Sequence, residues 1–252
     1  MLVIIIKGAP WLFALLLSVL SLIAMLEFFT MALPERKKEL YPFALLGALS
    51  TVTPLLNDGR FFIMSCALAF LLAGFHFLFR LREMAKVAQE LSLVMTSFFY
   101  IPFLMAHLLM LRLLPLGTSW LLLIMLIVMT NDSAAFYIGS AFGKHRLYEA
   151  VSPKKSIEGA LGGLFGSLIG ALIAKFTFFP QLGFTDIIIT ALVIGIIGQL
   201  GDLFESLLKR SFGVKDSGSI FPGHGGVLDR MDSIIFAAPV TYYYAIYLFG
   251  RF

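Results

Sequence analysis

Residues 198–233 read GQLGDLFESLLKRSFGVKDSGSIFPGHGGVLDRMDS, the densest gathering of acidic, basic and glycine residues in the chain. If the first part is helical, Asp202, Glu205, Ser206 and Lys209 fall at i, i+3, i+4 and i+7 and share one face. Gly213, Gly218, Pro222, Gly223, Gly225 and Gly226 then break the helix, leaving a loop whose backbone can approach a ligand closely and offer N–H groups to anionic oxygens. His224 lies inside that glycine cluster, and Asp229 and Asp232, spaced i, i+3, open a further helix. With Asp202 they can surround a divalent cation. Hard oxygen donors without a Cys or His cluster favour magnesium or manganese over zinc, and magnesium is commonly held by one or two carboxylates together with substrate phosphates. The substrate is therefore expected to carry phosphate, with Lys209, Arg210, Lys215 and Arg230 placed to neutralise it.

A second polar stretch runs from Asn131, Asp132, Ser133 and Tyr137 through Lys144 to Ser152, Lys154, Lys155, Glu158 and Gly159. Asp132 falls in an otherwise apolar segment, where an ionisable side chain is a functional candidate by default. Lys154 and Lys155 are candidates for a triphosphate; as ordinary loop lysines they would instead touch anionic lipid. Glu205 and Lys209 alone would read as a weak i, i+4 pair on a solvated face. It is the conjunction of so many charges in a chain otherwise short of them that points to phosphoryl chemistry.

The elements that must position these groups are membrane helices. Of the 252 residues, 60% are hydrophobic and 13% charged, which excludes a water-soluble fold. Apolar runs fall at about 9–33, 42–57, 61–79, 91–111, 118–140, 159–179, 184–200 and 234–250. The expectation is an all-α polytopic protein of about eight full spans plus a shortened N-terminal segment, Met1–Ile6, whose following Lys7 reverses the order of a signal peptide. The run at 42–57 is short and broken by Pro54. Residues 1–117 would form an N-terminal set of helices, and 118–252 a catalytic region with loops 141–158 and 201–233.

Charge orients these spans. Arg36, Lys37, Lys38, Arg80, Arg82, Lys86, Lys144, Arg146, Lys154, Lys155, Lys209, Arg210, Lys215 and Arg230 fall on one side, 14 of the 19 Lys and Arg. Lys7, Arg60, Arg112 and Arg251 fall on the other, and Lys175 near the outer end of its helix can snorkel. By the positive-inside rule the first side is cytoplasmic. Trp11 and Trp120 then lie at outer ends, suited to the headgroup level. The net charge of +4 is interleaved with spans and forms no patch for nucleic acid. Gly159, Gly162, Gly163, Gly166 and Gly170 lie on one span and, with Gly195, Gly198 and Gly201 on the next, read as close helix packing. His76, His107 and the single cysteine, Cys66, sit in apolar runs and read as core.

The C-terminal pattern resembles that of the phosphatidate cytidylyltransferases, the CDP-diacylglycerol synthases. Ser206, Lys209, Arg210, Lys215, Asp216, Gly218, Phe221, Pro222, His224, Gly225, Gly226, Asp229, Arg230 and Asp232 follow that family's signature in order and spacing. The likeness extends to the S-P-K-K-S-x-E-G stretch from Ser152 and to N-D-S-x-A-x-Y from Asn131, about the last half of the chain. The first half is similar in hydropathy alone.

The resemblance implies the reaction of CTP with phosphatidate to give CDP-diacylglycerol and pyrophosphate, by in-line attack of the lipid phosphate on the CTP α-phosphorus. It implies Mg2+, with Mn2+ as substitute and room for a second cation, held by Asp202 and Asp229, with Asp232 and Glu205 supporting them or binding a second ion. Lys209, Arg210, Lys215, Asp216, His224 and Arg230 would serve catalysis. Asp132, Lys144, Ser152, Lys154, Lys155, Glu158, Ser206, Gly225 and Gly226 would bind substrate. Partners would be CTP, phosphatidate and membrane lipids, with a homodimer admitted and no nucleic acid, in a bacterial plasma membrane with the site facing the cytoplasm. A CTP-dependent lipid kinase would use similar parts, and a transporter would place its polar residues at the midplane instead.

Overall fold

In the computed structural model, residues 2–56, 60–80, 83–220 and 225–250 are described. Arg82 and Arg251 of the charge pattern, and Phe221, Pro222, Gly223 and His224 of the loop motif, lie outside these residues. The chain is almost wholly helical: α1 (Leu2–Lys7), α2 (Pro10–Ala32), α3 (Tyr41–Val52), α4 (Arg60–Phe79), α5 (Val87–Phe98), α6 (Leu104–Leu113), α7 (Gly117–Phe142), α8 (Ile157–Thr177), α9 (Phe184–Ser211) and α10 (Leu228–Tyr247). A two-stranded antiparallel hairpin, β1 (Arg146–Tyr148) and β2 (Ser152–Ser156), joins α7 to α8.

Among the described residues, six helices are long and apolar enough to cross a membrane: Pro10–Ala32, Arg60–Phe79, Met84–Leu113, Gly117–Phe142, Ile157–Thr177 and Phe184–Ser211. The protein is thus an all-α integral membrane protein. Two of the eight apolar runs take a different form. The run at 42–57 becomes α3 and a 3-10 turn through Leu55, a shorter apolar helix, because Pro54 offers no backbone N–H to continue it. The run at 234–250 is the body of α10, which opens on Asp229, Arg230 and Asp232, carries Pro239 inside, and contains Tyr242, Tyr243 and Tyr244. These polar groups dilute its hydropathy.

The chain divides into two compact units, one of residues 1–113 with 216–230, the other of 114–215 with 231–252. In the first, α2 packs along α3, and α5 passes into α6 through a π-helical segment, Phe99–Phe103. Pro102 lies within that segment, where its missing N–H and ring bulk widen the helix. Phe28, Phe29, Met25, Ile101 and Leu109 form the core. Buried Arg36 pairs with Glu39 at 3.2 Å and with Glu90, donates to the Arg80 carbonyl at 3.1 Å, and lies over the Phe77 ring, so one guanidinium ties together the ends of α2, α4 and α5. His107 packs against Phe62 and Phe103 with Nδ1 2.9 Å from the Phe103 carbonyl, and His76 lies between Phe43 and Phe77.

In the second unit, α8 lies against α7 along its glycines. A Cβ at Gly159 would come within 2.9 Å of the Ala135 carbonyl and 3.1 Å of the Gly139 Cα, so the two backbones approach as only small residues permit. Trp11 is exposed, but Trp120, expected at the headgroup level, is buried. Its ring packs edge-on to Phe179 and Phe249, making it the core of that end of the unit. Asp186, beside it, accepts from Gly183 N at 2.9 Å and from the Tyr244 hydroxyl at 2.5 Å.

Candidate active site

The loop between α7 and α8 is a shaped support. Glu158, in the first turn of α8, accepts from the backbone N–H groups of Lys144 and His145 at 3.0 and 3.2 Å and contacts the His145 ring at 2.7 Å, closing the base of the hairpin. Ser156 caps α8 by accepting from Gly159 N at 3.1 Å. The strands pair Arg146 with Ser156 and Tyr148 with Ser152. Held this way, β2 points Lys155 at α9, where its Nζ sits 2.5 Å from Asp202 Oδ2.

The polar face of α9 divides in two. Asp202 is partly exposed and faces Lys155, with the Ser206 hydroxyl 3.5 Å from its other oxygen. Glu205 is buried and pairs with Lys209, one turn along, at 2.7 Å. Asp132 from α7, Asp202 from α9 and Asp232 from α10 lie within electrostatic reach of one another, and Lys155 acts on both Asp132 and Asp232. Three like charges at a membrane helix junction repel, and one ammonium offsets only part of that repulsion. A hard divalent cation would offset the rest, and the donors are all oxygen, which suits magnesium or manganese. Among the described residues no three His, Cys, Asp or Glu side chains enclose an ion unaided. Substrate phosphate and water would have to complete the coordination, as they commonly do around magnesium.

Beside Asp132, Asn131 is buried and joins three helices. Its Nδ2 donates to Ser167 Oγ on α8 at 2.7 Å and to the Gly195 carbonyl on α9 at 3.4 Å. Gln199 on α9 donates to Asn131 Oδ1 and to the Ala160 carbonyl, both at 3.0 Å. This satisfied network fixes the level of α7 at which Asp132 emerges.

In the first unit, Ser217 and the residues from 226 to 229 gather around two carboxylates. Asp229 Oδ2 accepts from Ser217 N at 2.9 Å, from Ser217 Oγ at 2.8 Å and from Gly226 N at 2.8 Å. Gly225 has φ +77°, the left-handed region that favours glycine, and so turns the chain back toward Asp229. The second carboxylate is Glu27 of α2, which accepts from Val227 N and Leu228 N, each at 3.0 Å. Sequence reasoning passed over Glu27, although it is the one ionisable residue in α2 and obeys the same rule that singled out Asp132.

Other candidates stand elsewhere. Lys144 and Lys154 are exposed around the hairpin, and Ser152 is half-buried on β2. Arg210 donates to the Val151 carbonyl at 3.4 Å and the Val214 carbonyl at 3.2 Å, bracing the hairpin against the end of α9. Lys215, Asp216 and Arg230 are exposed. His224 lies outside the described residues.

Comparison with known proteins bears on this arrangement. Phosphatidate cytidylyltransferases from Staphylococcus haemolyticus (strain JCSC1435) and Staphylococcus aureus (strain COL) are 45% and 46% identical to the chain over 124 residues, 49% of this chain and 48% of theirs. That of Staphylococcus epidermidis (strain ATCC 35984) is 43% identical over the same length. The chain thus aligns with about half the length of the curated relatives it matches. The sequence model of the cytidylyltransferase family matches residues 1–248, nearly the whole chain, and the protein belongs to that family.

Proposed function

We propose that the chain transfers a cytidylyl group from CTP to phosphatidate, giving CDP-diacylglycerol and pyrophosphate. Family membership and the names of its relatives support the reading. The observation that carries it is the ion pair of Lys155 on the hairpin with Asp202 of α9, with Asp132 of α7 and Asp232 of α10 in electrostatic reach of both. Carboxylates and an ammonium side by side suit a reaction whose substrates are both phosphate esters.

A phosphate oxygen of phosphatidate forms the new bond to the CTP α-phosphorus. The bond from that phosphorus to the oxygen bridging to the β-phosphate breaks, and pyrophosphate leaves with the electron pair. Both partners arrive charged, so no protein nucleophile is needed, and the work of the chain is positioning and charge stabilisation. Lys155 is placed to leave Asp202 for a phosphate oxygen, and exposed Lys144 and Lys154 to draw the triphosphate toward the hairpin. Bound through Asp202 and its neighbours, magnesium would supply a Lewis acid that polarises the reacting phosphate. Asp229 keeps its assignment as a cation ligand from the resemblance. The bias of Lys and Arg to the hairpin side supports a site that faces the cytoplasm, and the bacterial relatives support a plasma membrane as its setting.

The test uses purified protein in detergent with phosphatidate, magnesium and CTP labelled either at the α- or at the γ-phosphorus. Label from the α-position alone should enter the lipid. Lipid labelled from the γ-position would make the protein a CTP-dependent lipid kinase, and lipid labelled from neither would overturn both readings.

A further inference from the structure

The geometry points to Glu27 as a positioning residue for Ser217, Gly218 and residues 226–228 at the start of α10, and through them for Asp229. This inference rests on the cytidylyl-transfer reading for its catalytic consequence. A carboxylate in a membrane-spanning helix is costly, by several kcal/mol even with relaxation, unless donors surround it. Glu27 is the only ionisable residue in α2 and is buried, and among the described residues its donors come from one distant stretch of chain.

Val227 N and Leu228 N, at the opening of α10, reach its two oxygens at 3.0 Å each. These are N–H groups that a helix start leaves without partners, and the partial positive charge there favours an anion. The Ser217 hydroxyl lies between the two carboxylates, 3.2 Å from Glu27 Oε2 and 2.8 Å from Asp229 Oδ2. Its single proton serves one of them at a time, so Ser217 couples the position of one acid to that of the other.

Two glycines complete the argument. A Cβ at Gly226 would collide with both Glu27 oxygens and with Ser217 Oγ, and one at Gly218 would come within 2.8 Å of the Glu27 carboxyl carbon. The segment therefore uses glycine where the Glu27 carboxylate needs room. Asp229 in turn closes the turn from within by accepting from Ser217 and Gly226. Glu27 thus anchors the frame in which Asp229 is held, without itself being assigned to substrate.

The experiment compares wild type with Glu27→Gln, Glu27→Asp and Ser217→Ala in detergent. Amide exchange across 217–229 is read by mass spectrometry, alongside kcat and the KM for CTP. A glutamine has one acceptor oxygen in place of two, so Glu27→Gln should speed exchange of this segment several-fold while leaving α7–α9 unchanged. It should lower kcat about 10–100-fold, the size of effect typical when groups orienting a metal ligand are lost, with KM for CTP within about threefold. Glu27→Asp keeps the charge on a shorter stem and should fall between. Exchange and kcat equal to wild type would overturn the proposal, and so would faster exchange with unchanged kcat. Should the Glu27 variants not purify as folded protein, Ser217→Ala decides by the same two readouts. If wild type makes no CDP-lipid yet exchange still responds to Glu27→Gln, the anchoring stands and the functional reading fails.

Discussion

The Lys155 ammonium on the hairpin lies 2.5 Å from the Asp202 carboxylate on α9, and both side chains are about a third exposed, at 28% and 36%. A pair this open contributes about 1 kcal/mol or less to stability. Its loss should therefore be felt in turnover instead of folding. A charged hydrogen bond to substrate is worth about 1.5–3 kcal/mol. Lys155→Met should lower kcat/KM for CTP about 10–100-fold, with the melting temperature nearly unchanged. Steady-state kinetics in mixed micelles, paired with a thermal scan, check both halves. A large fall in melting temperature with normal kinetics would make Lys155 a structural tie.

Asp202 is the one of the three that pairs directly with Lys155, which makes it the strongest of them for a cation. Chelation with EDTA should abolish nucleotidyl transfer, and added Mg2+ should restore it. Asp202→Asn should reduce activity by about 100-fold or more, and Asp229→Asn by at least about 10–100-fold. Both variants should remain folded in membranes. Full activity in EDTA would remove the metal from the reading.

Asp232 makes the opposite prediction for stability. It is buried within reach of Asp202 and Asp132, both of the same sign. Asparagine is nearly isosteric and removes that repulsion. Asp232→Asn should therefore raise the melting temperature, by roughly 2–4 °C for each kcal/mol relieved, while lowering activity at least about tenfold. Active sites commonly trade stability for function in this way. A thermal scan beside the cytidylyl-transfer assay separates this result from ordinary core damage, which would lower both.

Glu205 and Lys209 form a more enclosed ion pair, with side chains 2% and 12% exposed. Removing one partner of such a pair leaves a buried charge and costs about 3–5 kcal/mol. Lys209→Met alone should therefore unfold more readily than the double variant Glu205→Leu, Lys209→Met. If Lys209 also serves phosphate, the double variant will be stable and still slow. If its activity returns with its stability, Lys209 acts only as a partner to Glu205.

Much of this was legible in the sequence because membrane helices write themselves in hydropathy and because charge is scarce within them. Asp132 falls within an otherwise apolar span, Asp202 and Asp232 lie in the most densely charged stretch of the chain, and the glycines of α8 announce close packing. What escaped was fixed by partners with no side-chain signature. The donors to Glu27 are backbone N–H groups about 200 positions away, which no local pattern records. The hairpin was hidden because three and five residues are too few for alternation to show, and Pro153 argues against a strand anywhere but at an edge. The position of Trp120 near a helix end suits the headgroup level, but Phe179 and Phe249 enclose it from segments far along the chain.

Gly163 separates packing from chemistry at the α7–α8–α9 junction. A Cβ there would stand 2.6 Å from Gln199 Nε2 and 2.7 Å from Asn131 Oδ1, in the middle of the hydrogen bond that joins them. Either the amides part, leaving buried polar groups unpaired, or α8 moves off α7. Overpacking of this kind costs about 1–3 kcal/mol, and an orphaned buried amide about as much again. Gly163→Ala should accordingly lower the melting temperature and the yield of folded protein. Because Asn131 precedes Asp132 on the helix, the surviving folded fraction should also show a reduced kcat. Gly213 provides the control: its exposed position has φ +71° and nothing within 4 Å of a Cβ, so Gly213→Asn, which tolerates that backbone, should change neither quantity. Equal stability and kcat for Gly163→Ala and Gly213→Asn would mean that the buried amide network does not set the position of Asp132.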